Sequence, residues 1–195
     1  MKKLIVLTVL LFSAAAFSQG FKIGIGGGLT TIQGPDGFTN DLSSGGAGFG
    51  AEYHAGVKAK FSLPLIPLSP VAFINYHFLS SSEDISGANV TASSSILSIG
   101  AGAEWTLIPG PLSPYLALDV AMNSIGDLKI ESPLGTMTAD GISRVGIGVG
   151  VGAEFKLLPK FDVDGSIKYN MFNLFGKESG EKTISALVIN VTLLF

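Results

Sequence analysis

The sequence predicts an all-β fold: an eight-stranded antiparallel up-and-down transmembrane β-barrel preceded by a signal peptide. Three observations carry this. Residues 142–157 alternate almost without interruption between apolar and small or charged side chains. Apolar residues make up 47% of the chain, yet no long unbroken apolar run follows residue 18. Proline and glycine clusters divide the remainder into eight pieces of strand length, joined by alternately long and short connections.

In the alternating stretch the odd positions are Val145, Ile147, Val149, Val151, Ala153, Phe155 and Leu157. The even positions are Arg144, Gly146, Gly148, Gly150, Gly152, Glu154 and Lys156. A period of two marks a strand with two different faces. Strands of soluble sandwiches average about 5–6 residues, so this length, oily on one face and polar and slim on the other, fits a strand between lipid and a narrow lumen.

At the N-terminus, Lys2 and Lys3 precede an apolar run over 4–12 and small residues over 13–16. This is the layout of a secretory signal peptide, with cleavage expected after Ser18. The run is shorter than the roughly 20 residues of a spanning helix. The expected domains are therefore a signal peptide, 1–18, and a barrel, 19–195. Loss of Lys2 and Lys3 leaves ten basic and fifteen acidic residues, a net charge of −5. That balance offers no basic surface for nucleic acid. Without cysteine there is no disulfide scaffold, thiol enzyme or lipid anchor. Glycine, at 26 residues, falls largely inside apolar segments where it would weaken a helix. Backbone groups in lipid must pair internally, which only helices and closed barrels achieve.

The predicted strands are 21–31, 47–63, 71–80, 93–107, 115–129, 141–157, 161–175 and 183–195. Short connections fall at 64–70, 109–114 and 158–160. Polar, mostly longer ones fall at 32–46, 81–92, 132–140 and 176–182. Short turns belong on the periplasmic side and long loops outside, so both termini are expected to be periplasmic. The tetrapeptides beginning at Gly50, Gly102 and Gly152 read Gly-Ala-Glu-aromatic, and their spacing of two strands supports hairpin periodicity.

Parity then assigns faces. The proposed lipid side holds Phe21, Ile23, Ile25, Phe49, Tyr53, Val57, Phe61, Ile74, Tyr76, Phe78, Leu97, Ile99 and Trp105. It continues through Leu116, Leu118, Val120, Val163, Ile167, Tyr169, Leu187, Ile189, Val191, Leu193 and Phe195, with no charge among them. The opposite side holds Lys22, Lys58, Lys60, Arg144, Lys156 and Lys168 with Glu52, Glu104, Asp119, Glu154, Asp162 and Asp164. Six positive and six negative charges in a confined lumen are expected to pair, because an unpaired buried charge is costly. An eight-stranded interior is just wide enough for side chains to fill it, so a plugged lumen is expected, not a diffusion pore.

The signal peptide, the eight alternating segments and the ending Val191-Thr192-Leu193-Leu194-Phe195 resemble small bacterial outer-membrane β-barrel proteins of the OmpA/OmpX type and the PorT-like barrels of Bacteroidetes. The resemblance covers the whole mature chain. It implies outer-membrane lipid and lipopolysaccharide as surroundings. It also implies that Phe195, with Leu193, Val191 and Ile189 on its face, forms the signal read by the barrel-assembly machinery. The chain stops at Phe195, so a peptidoglycan-binding domain of the OmpA kind is not expected.

Enzyme chemistry is weakly supported. Gly24-Ile25-Gly26-Gly27-Gly28 departs from G-x-G-x-x-G at Leu29 and no helix pattern follows. His54 and His77, the only histidines, point inward from neighbouring strands and with Glu52 could form a metal or acid–base site. No G-x-S-x-G or H-E-x-x-H sharpens that reading. No enzyme activity and no cofactor are expected. Acidic loop residues Asp36, Asp41, Glu83, Asp84, Asp140, Glu178 and Glu181 suit a solvated rim, divalent-cation binding or a surface partner of unknown identity. The expected function is structural or surface-interacting, carried by the outer loops. A narrow channel, a lipid-modifying barrel enzyme and a soluble ligand-binding barrel are the competing readings.

Overall fold

The computed structural model describes residues 20–63, 66–158 and 161–195. The signal-peptide expectation for 1–18 lies outside them, as do parts of the short turns at 64–65 and 159–160.

Among the described residues ten strands form one antiparallel sheet: β1 Phe21–Gly34, β2 Ala51–Phe61, β3 Leu68–Ile85, β4 Ala88–Thr106, β5 Leu112–Ile125, β6 Leu128–Ser132, β7 Gly135–Ala139, β8 Ile142–Leu158, β9 Phe161–Phe175 and β10 Ser185–Leu194. Eight of them close a barrel. Each of β1 to β4 pairs with the next, β5 with β8, β8 with β9, β9 with β10, and β10 returns to β1 through Ile25↔Leu193 and Leu29↔Ile189. Closure removes every edge within the wall, so each barrel strand finds its backbone partners on both sides.

The predicted apolar face points outward. Ile25 is 60% exposed, Tyr53 72%, Leu118 55%, Val191 55% and Phe195 51%, values that suit lipid and not water. Phe49 is a correction. It precedes β2 and is buried in the interior at 1% exposure, because the segment after β1 folds inward instead of continuing the wall. Here α1 (Asp36–Thr39) and a 3₁₀ turn (Leu42–Ser44) intervene, and Phe38 and Phe49 pack with ring centres 5.8 Å apart.

Two predicted connections prove to be strand. Residues 81–92 continue β3 and β4 to a two-residue turn at Ser86-Gly87, closed by the pair Ile85↔Ala88. Both turn residues have positive φ, 56° and 83°, as a tight hairpin with right-twisted strands requires. The predicted strand 115–129 breaks at Gly126-Asp127, and the following hairpin β6–β7 pairs with the projecting part of β4 through Thr91↔Glu131 and Ser93↔Lys129. At the other end Pro70 and Pro114 lie within β3 and β5, near their beginnings, where strand proline is tolerated.

Candidate functional site

The lumen has two chemically different halves. Near the termini, inward positions of β1, β2, β4, β8 and β9 bring charge together. Lys60 Nζ lies 2.9 Å from Glu104 and 2.6 Å from Glu154. Lys58 reaches Glu104 at 2.5 Å and Asp164 at 3.2 Å. Lys22 bonds Glu154 at 2.6 Å and also Asp162. Tyr115 donates its hydroxyl to Asp164 at 2.9 Å, and its ring centre lies 5.3 Å from Lys60 Nζ and 5.6 Å from Lys58 Nζ. A separate pair, Lys168 with Asp119 at 2.5 Å, sits over the Phe73 ring. Glycine makes the room: a Cβ at Gly152 would collide with the Tyr115 ring.

The structure does not bring the remaining predicted lumen charges into this cluster. Arg144 stands at the loop end, 2.9 Å from Glu181 and 3.1 Å from Glu178. The β9–β10 loop folds over the rim there, with Asn173 donating to Glu181 at 2.7 Å. These bonds, the Arg144 one foremost, hold the Glu181 carboxyl down at about 2. Glu52 lies at the loop end of β2 beside backbone of Gly50 and Ser80. Lys156 is exposed at the terminal rim. The three tetrapeptide glutamates are thus inequivalent: Glu104 and Glu154 share Lys60, and Glu52 sits at the opposite end.

The loop half of the lumen is apolar. Ile32, Phe49, Leu79, Ile96, Ile125, Phe172, Ile184 and Val188 form a buried core. Parity places Ile32, Leu79, Ile96, Phe172 and Val188 at inward positions, so the signal for this core is present in the sequence. A search for polar lumen residues passes over it.

Between the halves lies a polar chain. His54 and His77 face each other in register, ring centres 5.1 Å apart. Asn190 donates to Thr192 Oγ1 at 2.7 Å, which leaves its carbonyl oxygen to accept from His54 Nε2 at 3.0 Å. His54 Nδ1 therefore accepts from Thr30 Oγ1 at 3.1 Å, and Thr30 accepts in turn from His77 Nδ1 at 2.7 Å. This ordering fixes both tautomers and consumes three of the four ring nitrogens. The fourth, His77 Nε2, is buried with no hydrogen-bond partner among the described residues, and the His77 ring packs edge-to-face with Phe172 at 5.3 Å between ring centres. Glu52 does not join them, and among the described residues no three His, Cys, Asp or Glu side chains are grouped to hold a metal. The cavity left in mid-lumen is about 50 Å³, little more than room for a water or two.

Outside the wall, β3, β4, β6 and β7 project as a small sheet. Its outer strand β7 is exposed at every residue and, among the described residues, pairs on one side only.

Residues 4–195 match the family described as the outer membrane protein beta-barrel domain. No curated protein matches the chain. Among solved structures, Neisserial surface protein A is similar at 17% identity and a TM-score of 0.58, over 90% of this chain and 96% of that one. A major outer membrane protein from Thermus thermophilus aligns at 13% identity and 0.54, over 90% and 98%. Ail, the attachment invasion locus protein of Yersinia pestis, solved with the heparin analogue sucrose octasulfate, aligns at 14% and 0.50, over 90% and 97%. At such identities the likeness is one of fold.

Proposed function

The chain belongs to the outer membrane protein β-barrel domain family, and on that premise we propose that it is a membrane-embedded scaffold with a filled lumen that acts at the cell surface through its projecting sheet. Its loop end faces outward and its termini face the periplasm, a reading supported by the short turns at the terminal end and the projecting strands and longer loops at the other. Lipopolysaccharide and lipid surround the apolar belt. The face Ile189, Val191, Leu193 and Phe195 serves the assembly machinery.

One observation carries the surface role: the outer edge of β7. Exposed strand edges are ordinarily blunted with lysine, proline or bulges, because they template pairing with another chain. β7 is Gly-Thr-Met-Thr-Ala, without charge or proline, and Met137 is 74% exposed. The two-residue hairpin turn closes on the hydrogen-bonded pair Ser132↔Gly135, and alternation then turns the backbone groups of Thr136 and Thr138 outward. An extended segment of a partner protein fits this edge by strand addition. A second copy fits less well: two barrels upright in one membrane present edges that ascend in the same direction, giving the weaker parallel pairing.

The test is binding of arrayed extended peptides by the barrel in proteoliposomes. Replacing Thr136 and Thr138 together by proline removes the outward donors while sparing the ladder to β6, and binding should disappear. Unchanged binding sinks the reading. A steady defined conductance in planar bilayers would favour the channel alternative, against which the buried apolar core across the loop half of the lumen speaks.

A further inference from the structure

At the outer end of the barrel the apolar core lines a concavity open to the surface. Its floor is Ile125 and Ile184, both buried, and its walls are Phe38 from α1, Leu128 from β6 and Ile142 from β8. Together they enclose about 240 Å³. Three backbone donors around it are already satisfied. Gly126 N–H donates to Ser95 O at 2.8 Å, Gly141 N–H to Asp127 at 2.9 Å, and Ile184 N–H to the Asn173 side chain at 2.6 Å. The concavity therefore offers water few partners, the condition under which a pocket stays poorly hydrated and takes apolar ligands.

We propose that this pocket binds the alkyl tail of a water-borne single-chain amphiphile, whose polar head remains at the mouth beside Asp140 and Lys182. Size sets the first part. The pocket exceeds the roughly 150 Å³ that accepts one benzene ring, and falls below the roughly 300–1,000 Å³ that engulfs a whole small molecule. A short chain fits; its head does not. Position sets the second part. The mouth lies among loop residues, with Asp140 and Lys182 on its lining and Lys182 facing Asp36 of α1 at 4.0 Å. Polar groups there suit a hydrated head, and the opening lies beyond the lipid-facing belt, so the ligand arrives from water. The pocket touches β7 only at its last residue, Ala139, and does not include Thr136 or Thr138, so the two proposals are tested through different residues.

The test uses methyl NMR of isoleucine-labelled mature barrel in lipid nanodiscs, titrated with 1-butanol, 1-hexanol and 1-octanol. Shifts at Ile125, Ile142 and Ile184 should saturate, with affinity rising about fourfold per methylene until the pocket is full. Outward Ile74 and Ile167 should drift without saturation as alkanol enters the bilayer. Ile142→Trp and Leu128→Trp each fill the pocket, and both should abolish saturation while the folded barrel still shifts on heating in SDS electrophoresis. Saturation that survives both substitutions, or shifts indistinguishable from those of Ile74, overturns the proposal. Pocket methyls already displaced in nanodiscs but not in amphipol, before any alkanol, would mean a bilayer lipid occupies the site and would overturn the water-borne source.

Discussion

Lys60 and Glu154 meet at 2.6 Å across the lumen although their strands, β2 and β8, share no edge. The contact spans the barrel interior between residues ninety-four positions apart. It ties wall to wall where backbone hydrogen bonds cannot. Because Lys60 also holds Glu104, and Lys22 also holds Glu154, a slip of one strand against its neighbour would strand several buried charges at once. We take the network's role to be the specification of strand register.

Removing one member should therefore cost more than losing a surface ion pair. Lys60→Met leaves Glu104 short of one cation in a site where it is fully buried, and should lower barrel stability by about 3–5 kcal/mol. Urea unfolding of the refolded barrel in lipid reads this directly. Glu104→Gln in the Lys60→Met background should recover part of the loss.

The apolar plug makes a separate contribution. Phe49→Ala should cost about 3–5 kcal/mol as a core cavity, whereas the same change at outward-facing Phe78 should cost far less in lipid. Comparison of the two unfolding midpoints checks the inward placement of Phe49.

Outward positions should reject charge. Leu118→Arg and Val191→Arg each place a cation against lipid and should cost about 2–4 kcal/mol near the midplane. The same residue at a loop position such as Thr136 should cost almost nothing. Phe195→Ala should leave refolding in detergent intact and reduce assembled barrel in cells, which immunoblotting of heat-shifted bands would show.

The β9–β10 loop should loosen in acid. Glu181 titrates at about 2, against an ordinary 4.5, because Arg144 and Asn173 bond its charged form. A depressed folded value means the stabilisation is whole above about 4.5 and disappears as pH falls toward 2. The protection factor of the Ile184 amide, the intrinsic exchange rate at each pH divided by the observed one, should fall through that window, because that N–H is held by Asn173. In Glu181→Gln the protection factor should be low and nearly independent of pH.

Shape at Gly152 gives a last check. Gly152→Val drives a side chain into Tyr115, which must then release Asp164. The variant should unfold earlier in urea, and Tyr115→Phe in the same chain should not relieve it, since the ring and not the hydroxyl alone collides.

The wall of this protein is written in a period of two. Once residues such as Val145 to Leu157 alternate, and no helix long enough follows, the outward set is determined by parity alone, because lipid tolerates no charge and no unpaired backbone. The pairing of Lys22, Lys58 and Lys60 with four carboxylates is foreshadowed by balanced inward charge, but which lysine meets which carboxylate depends on strand stagger, which parity does not encode. Tertiary structure alone decided the rest. Polar-looking residues 81–92 and 135–139 became strand because a neighbouring edge was there to pair with. Phe49 turned inward because the loop carrying it found an apolar lumen mouth to fill. Those outcomes depend on what each segment meets after the barrel closes, and local sequence carries no record of that encounter.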